Sequence, residues 1–399
     1  MFNQPYPNYP YFNLPQMQIP KIQIIGGGTI LDEDSVPQII NKEKIIENTL
    51  AFLKRKDECG SKIIQDLYEN SPIDIRNKIF DKIKDEINNI AIEEFGNYFL
   101  AKIIEINNPN KIDIIYNSII EDIENISFDS HGTYVVQKLL EKIDENRIDE
   151  IAQKLKLDIN IANFEELAKK NDKESIQKLK NINHIIQKII KKRQMKKNDE
   201  IGKQMIASFD LFVKNQYGCY ILQALLSNCK DEYYDEIYKK TYENFNNLIH
   251  HIYGNYLIEF FFKNDKGKNN DKIYENLTGH ILEFTLHEYA YKSIMKAVKK
   301  GTPVQRKNII NEIVDKNDKD RLINLTKHPY GNFVLQKILK YGDEETRLYI
   351  IKIIYSEPNF EDEIKKHKCG KHVVKKIEKI NIKKNGAYNS IIYNINDNK

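Results

Sequence analysis

His131-Gly132-Thr133-Tyr134-Val135-Val136-Gln137 is a block with a simple grammar: an aromatic residue or histidine, glycine, a small polar residue, an aromatic or basic residue, two apolar residues and glutamine. The same grammar returns at Cys59-Gly60-Ser61-Lys62-Ile63-Ile64-Gln65, at Phe95-Gly96-Asn97-Tyr98-Phe99-Leu100-Ala101 and at Asn183-His184-Ile185-Ile186-Gln187. It continues at Tyr217-Gly218-Cys219-Tyr220-Ile221-Leu222-Gln223, Tyr253-Gly254-Asn255-Tyr256-Leu257-Ile258-Glu259, Tyr289-Ala290-Tyr291-Lys292-Ser293-Ile294-Met295 and Tyr330-Gly331-Asn332-Phe333-Val334-Leu335-Gln336. Cys369-Gly370-Lys371-His372-Val373-Val374-Lys375 is a degenerate last copy. The small polar position falls at 61, 97, 133, 183, 219, 255, 291, 332 and 371, and five of these eight intervals are 36 residues. One interval is 50, which places an insertion between 155 and 180. Repeats of this length stack as a solenoid, each unit burying its apolar pair against its neighbours.

The chain between the copies is helical in pattern. Apolar residues recur at helical spacing, as in Ile79, Ile83, Ile87 and Ile90, and no stretch alternates long enough to argue for a sheet. The fold class is therefore all-α. Residues 1–40, with Pro5, Pro7, Pro10, Pro15, Pro20 and Pro37, read as a disordered arm. The repeat domain spans 41–385, and 386–399 is a tail. The run Gly26-Gly27-Gly28-Thr29 is not followed by Gly-Lys-Ser/Thr, so a hinge is expected there rather than a phosphate loop.

Composition removes several classes of function. Lys+Arg number 62 against 58 Asp+Glu, a net charge of +4, so affinity for a nucleic acid would have to come from base contacts rather than a basic excess. Apolar runs are broken by lysines well short of the roughly 18 residues that a membrane span needs. The N-terminus lacks the basic and apolar regions of a secretory signal. The four cysteines (Cys59, Cys219, Cys229, Cys369) have neither disulfide nor zinc spacing. His250 and His251 stand in no metal-ligand spacing and read as a solvated helix end. No catalytic motif appears, so neither an enzyme nor a cofactor is expected. The basic run Lys188, Lys191, Lys192, Arg193, Lys196 and Lys197 reads first as a solvated helix face, with phosphate contact or a nuclear signal as alternatives.

The small polar residue after glycine could be no more than a helix cap, but a capping box would put Glu or Gln three residues on. Here Gln stands four residues on, at Gln65, Gln137, Gln187, Gln223 and Gln336. Positions four apart lie on one helix face. The pair therefore offers two hydrogen-bonding groups side by side, and the residue after the small polar one can cover the face of a base. Two edge readers and one stacker make a site for one unstacked nucleotide.

From about residue 45 to 382 this pattern resembles the Pumilio (PUF) family of RNA-binding proteins. The resemblance implies a crescent-shaped right-handed α-solenoid of eight three-helix repeats with terminal caps, Gly370-Lys371-His372 lying in the last one. It further implies a monomer that binds single-stranded RNA antiparallel to the chain, one base per repeat. By the family's pairing, Asn with Gln favours uracil, Cys or Ser with Gln favours adenine, and Ser with Glu favours guanine. Asn332 with Gln336 would then read the first base as uracil, with Phe333 stacking. Cys219 with Gln223 would read adenine at the fourth base, Asn183 with Gln187 uracil at the fifth, Thr133 with Gln137 adenine at the sixth, and Ser61 with Gln65 adenine at the eighth. The implied stackers are Lys62, Tyr98, Tyr134, His184, Tyr220, Tyr256 and Phe333.

Three repeats depart from the family pattern. Beside Asn97 stands Ala101, which removes one edge contact at the seventh base. Beside Asn255 stands Glu259, whose carboxylate suits the N1–H and N2–H₂ of guanine at the third. Tyr291 and Met295 replace the Ser and Glu that would read guanine at the second. The expected site is 5′-U-N-G/U-A-U-A-N-A-3′, an A/U-rich octamer related to UGUA. The resemblance also implies action on messenger RNA 3′ untranslated regions in the cytoplasm, repressing translation or promoting decay with a deadenylase or translational repressor complex. The alternative is a PUF-like ribosome-assembly factor on pre-ribosomal RNA in the nucleolus.

Overall fold

The computed structural model describes residues 42–54, 58–106, 108–155, 166–167, 170, 172–264, 271–357, 360–384 and 386–389. The expected arm at 1–40, with the Gly26–Gly28 run, lies outside them, as do most of 155–171 in the expected insertion and 390–399 of the tail. The described residues form helices and no strand, in agreement with the all-α reading. None of these helices is long and apolar enough to cross a membrane. The chain divides into two compact units, 1–147 and 148–399.

Each copy of the sequence block opens or lies within a helix. In the first unit these helices are α1 (Glu58–Glu69), α2 (Gly96–Ile106) and α3 (Gly132–Lys142). Before α3 come the longer helix Pro109–Glu121 and the short helix Ile123–Phe128. The second unit holds α4 (Lys173–Lys192), α5 (Gln216–Ser227), α6 (Asn255–Lys263), α7 (Ala290–Lys300), α8 (Gly331–Tyr341) and α9 (Gly370–Lys383). The same sequence of helices precedes most of these, for example Asp231–Glu243 and Phe245–Ile249 before α6.

Local sequence explains where the helices begin. Asn108 Oδ1 accepts the Lys111 N–H at 3.2 Å, with Pro109 in the first turn, where its missing N–H costs nothing. Thr302 and Gln305 form a reciprocal capping box around Pro303. From Asp172, which accepts the Ser175 N–H at 2.8 Å, the end of the insertion becomes the first turns of α4.

Within each unit successive motif helices pack on one another, α1 on α2 on α3 and α4 through α9 in order. The apolar pair of the block is what they bury: Phe99 and Leu100, Val135 and Val136, Ile221 and Leu222, and Val334 and Leu335 all have 0% exposure. The repeat register is also fixed by hydrogen bonds one repeat apart. Ser61 Oγ donates to the Phe95 carbonyl at 2.9 Å, and Cys219 Sγ, at the equivalent place, to the Tyr253 carbonyl at 3.5 Å. The block's glycine serves close approach rather than an unusual dihedral. A Cβ at Gly132 would lie 2.5 Å from the Ile126 carbonyl oxygen, and one at Gly218 would lie 2.6 Å from that of Phe212. Beyond α9, Tyr388 is buried and its hydroxyl donates to Glu344 Oε1 at 2.8 Å, so packing continues into the first residues of the expected tail.

Candidate nucleic-acid interface

Six of the motif helices, α3 and α5 to α9, are capped by a residue for which the sequence pattern alone predicts no role. Four places before the small polar position, Asp129 Oδ1 accepts the His131 and Gly132 N–H groups at 2.7 and 2.8 Å. Asn215 Oδ1 does the same for Tyr217 and Gly218 at 2.9 and 3.1 Å. In the C-terminal repeats the acceptor is a histidine Nδ1: His251 for Tyr253 and Gly254, His287 for Tyr289 and Ala290, His328 for Tyr330 and Gly331, and His367 for Cys369 and Gly370. This corrects the solvated helix end expected at His251. The recurrence of histidine four before 255, 291, 332 and 371 was the available signal. No group of three or more potential metal ligands occurs among the described residues.

An Nδ1 that accepts must be unprotonated. Burial holds His251, His287 and His328 below the ordinary histidine range, with Lys214 adding to the effect at His251 and His250 at His287. The unfolded chain protonates these residues at about pH 6.5, the folded chain only lower. Between those values the unfolded state binds more protons, so stability is full above about pH 6.5 and falls as pH drops through the window. Thermal melts at about pH 7.5 and 5.5 are expected to show this loss, and the triple variant His251→Asn, His287→Asn, His328→Asn, which keeps an acceptor that does not titrate, should lose less. An equal loss in both proteins would assign the acid sensitivity elsewhere.

With the caps in place, the small polar residues turn inward. Ser61, Asn97, Thr133, Asn183, Cys219, Asn255 and Asn332 are 0–2% exposed. Five of them take a hydrogen bond from the glutamine one turn on. Gln65 Nε2 donates to Ser61 Oγ at 3.1 Å, Gln137 to Thr133 Oγ1 at 3.4 Å, Gln187 to Asn183 Oδ1 at 2.9 Å, Gln223 to Cys219 Sγ at 3.4 Å and Gln336 to Asn332 Oδ1 at 3.1 Å. A glutamine amide has a carbonyl oxygen and a second N–H beyond that one bond. Burial pushes the Cys219 thiol up to about 12, so it stays protonated beside Gln223.

The stacking positions lie outside this inward row. Tyr98 and Phe333 are 41% exposed, while Lys62, Tyr134, His184, Tyr220 and Tyr256 are half-buried. Tyr98 and Tyr134 stand 5.6 Å apart between ring centroids, and Lys292 Nζ is 5.6 Å from the centre of the Tyr256 ring. The repeat of α4 is the most closed. Gln187 is buried and His184 is pushed down to about 4 by burial, with Lys180 and Lys188 adding to it.

The three departures take distinct forms. In α2 Ala101 is buried, and Asn97 Nδ2 donates to the Glu93 and Glu94 carbonyls at 2.7 and 2.9 Å. In α6 burial pushes the Glu259 carboxyl up, against Lys296 and Lys292, and Oε1 has no hydrogen-bond partner. In α7 the Tyr291 ring lies stacked on Tyr330 (5.3 Å, 22°) and on Phe333 (5.7 Å, 28°), covering the α7 side of that stacker. Of the basic run, Arg193 Nε pairs with Asp149 Oδ1 at 2.8 Å and Lys197 pairs with the other oxygen of Asp149. Those two cations are engaged within the fold rather than forming a free basic face.

A family model described as a NOP9-like PUF repeat domain matches residues 47–319, and one described as a Pumilio-family RNA binding repeat matches residues 321–355. An Arabidopsis thaliana protein called putative pumilio homolog 10 is 32% identical over 88 residues, which is 22% of this chain and 16% of that protein. Among solved structures, the Puf3 RNA binding domain bound to Cox17 RNA 3′ UTR recognition sequence site A has a TM-score of 0.70 at 24% identity, over 86% of this chain and 97% of the other. PUF-8 in complex with PBE-RNA has a TM-score of 0.63 at 21% identity, over 85% and 94%. These structures share the helical repeat fold. With the family model spanning 47–319 and the block recurring in register beneath it, the chain belongs to the Pumilio (PUF) family of RNA-binding repeat proteins.

Proposed function

We propose that this protein binds single-stranded RNA sequence-specifically, in messenger RNA 3′ untranslated regions, and thereby represses translation or promotes decay. The observation that carries this reading is the recurrent pair in α1, α3, α4, α5 and α8, where a buried small polar residue takes a hydrogen bond from a glutamine one turn on. That bond aims the remaining amide atoms of the glutamine at a base edge, beside an aromatic, histidine or lysine stacker. The protein would act as a cytoplasmic monomer that recruits a deadenylase or repressor complex.

A second reading has its own support. The match to a NOP9-like PUF repeat domain over 47–319 favours a nucleolar ribosome-assembly factor on pre-ribosomal RNA. Crosslinking the protein to RNA in cells separates the two. The first reading expects 3′ untranslated regions enriched in the A/U-rich octamer. Pre-ribosomal RNA would replace it with the second, and recovery of no RNA would remove both.

A further inference from the structure

In α8 the Asn332 amide is pinned. Nδ2 donates to the His328 and Pro329 carbonyls at 2.7 and 2.9 Å, which leaves Oδ1 to accept from Gln336. In α6 the Asn255 amide is pinned in the same way, Nδ2 donating to the His251 and Ile252 carbonyls at 2.7 and 3.1 Å. Its Oδ1 and Glu259 Oε1 are both buried, and neither has a hydrogen-bond partner. Positions one turn apart share a helix face, so α6 holds two acceptors where α4 and α8 hold an acceptor and a donor. A carboxylate has no proton to give and is costly to bury without donors. A carboxylic acid has one O–H donor and keeps a carbonyl acceptor.

We infer that Glu259 carries a proton when this site reads RNA, donating it to Asn255 Oδ1 so that its carbonyl oxygen is the single acceptor offered to the base and takes the N3–H of uracil, and that loss of the proton turns the site toward guanine. The inference rests on the reading of the motif helices as the base-reading surface. In the acid, the O–H goes to Asn255 Oδ1 and the carbonyl oxygen accepts the N3–H of uracil. Once the proton is gone, both oxygens accept and match the N1–H and N2–H₂ of guanine.

The surroundings set the balance. Burial favours the neutral acid, while Lys296 and Lys292 of α7 oppose it. Lys296 is itself pushed down by burial, partly offset by Glu259. The remaining titratable neighbours are Tyr291 of α7, Cys219 of α5 and Tyr256 on α6 itself, each shifted upward first by burial and so uncharged near neutrality. The helices Asp231–Glu243 and Phe245–Ile249 also pack against α6, and no charged group from either acts on the carboxyl.

The test compares the affinity of the full chain for two octamers that differ only in uracil or guanine at the third base. Measurements run from about pH 6.5 to about pH 8, a range in which the N3–H of uracil and the N1–H of guanine stay in place. Uracil should be preferred near pH 6.5 in both the wild type and Glu259→Gln. The wild-type preference should then fall by up to about tenfold per pH unit as the single proton leaves, while that of Glu259→Gln stays constant. A wild-type ratio that is flat with pH, or that favours guanine near pH 6.5, would overturn the proposal. Carbon-13 NMR of the Glu259 carboxyl in the free protein gives an independent arm. Titration well above about 4.3, the ordinary glutamate value, is expected, and titration at that value overturns the proposal whatever the RNA does. Failure of both octamers to bind would remove the RNA reading and the proposal with it, even with a shifted carboxyl.

Discussion

The double variant Tyr291→Ser, Met295→Glu is expected to convert the second RNA base from an unread position into a guanine site, favoured by about 1–3 kcal/mol over the other bases. In the native chain the Tyr291 ring is stacked on Tyr330 and Phe333, and Met295 offers no edge donor or strong acceptor. Lys292 and Phe333 would flank the second base by the spacing of the repeats, and Tyr291 already covers the Phe333 face on that side. Removing the ring uncovers it, and the Ser/Glu pair is the family's guanine combination. An aromatic pair is worth only about 0.5–1.5 kcal/mol beyond the area it buries, so the fold should survive without the two that Tyr291 makes. Competition binding with four octamers varied at the second base checks both halves. Discrimination already strong in the wild type would mean that another residue reads this base.

Tyr256→Ala is expected to lose about 1–3 kcal/mol of RNA affinity, the usual cost of one aromatic–base stack. By the spacing of the repeats Tyr220 and Tyr256 flank the fourth base, the adenine assigned to Cys219 and Gln223. The loss should be nearly the same whichever base occupies that position, because every base presents a π-face. Affinities are to be compared per folded molecule beside a thermal melt, since the ring is half-buried with Lys292 Nζ 5.6 Å from its centre. A lowered melting temperature with unchanged affinity would make Tyr256 a packing residue.

The helical class and the repeat register are legible directly in the chain, because burial of an apolar pair at a fixed period is a one-dimensional signal. Val135 with Val136 and Val334 with Leu335 sit at the core as the block requires. The four-residue spacing places each small polar residue beside its glutamine, but as two base-edge groups; that the glutamine donates to the small polar residue appears only in the structure. What spacing cannot supply is orientation. Ser61, Asn97 and Asn255 have the chemistry of base-edge groups, yet they point into the fold and work by aiming or locking their neighbours. The histidine caps are hard to see in the sequence because a single His251 looks like any surface histidine. Its meaning emerges only when the backbone places Nδ1 over two helix N–H groups. Glu259 stands out in the sequence as a departure from the pattern, but its protonation does not, because burial, which decides whether a carboxyl keeps its proton, is a property of the packed helices.

On the reading proposed above, buried polar pairs along successive motif helices specify one base each. Selection of bound RNAs from a random pool by the full chain tests it most directly. The expected result is enrichment of 5′-U-N-G/U-A-U-A-N-A-3′, with the second and seventh positions degenerate and the adenine at the fourth position lost in the variant Cys219→Ala, Gln223→Ala. A pool with no common octamer, or one whose fourth base is unaffected by that substitution, would contradict it.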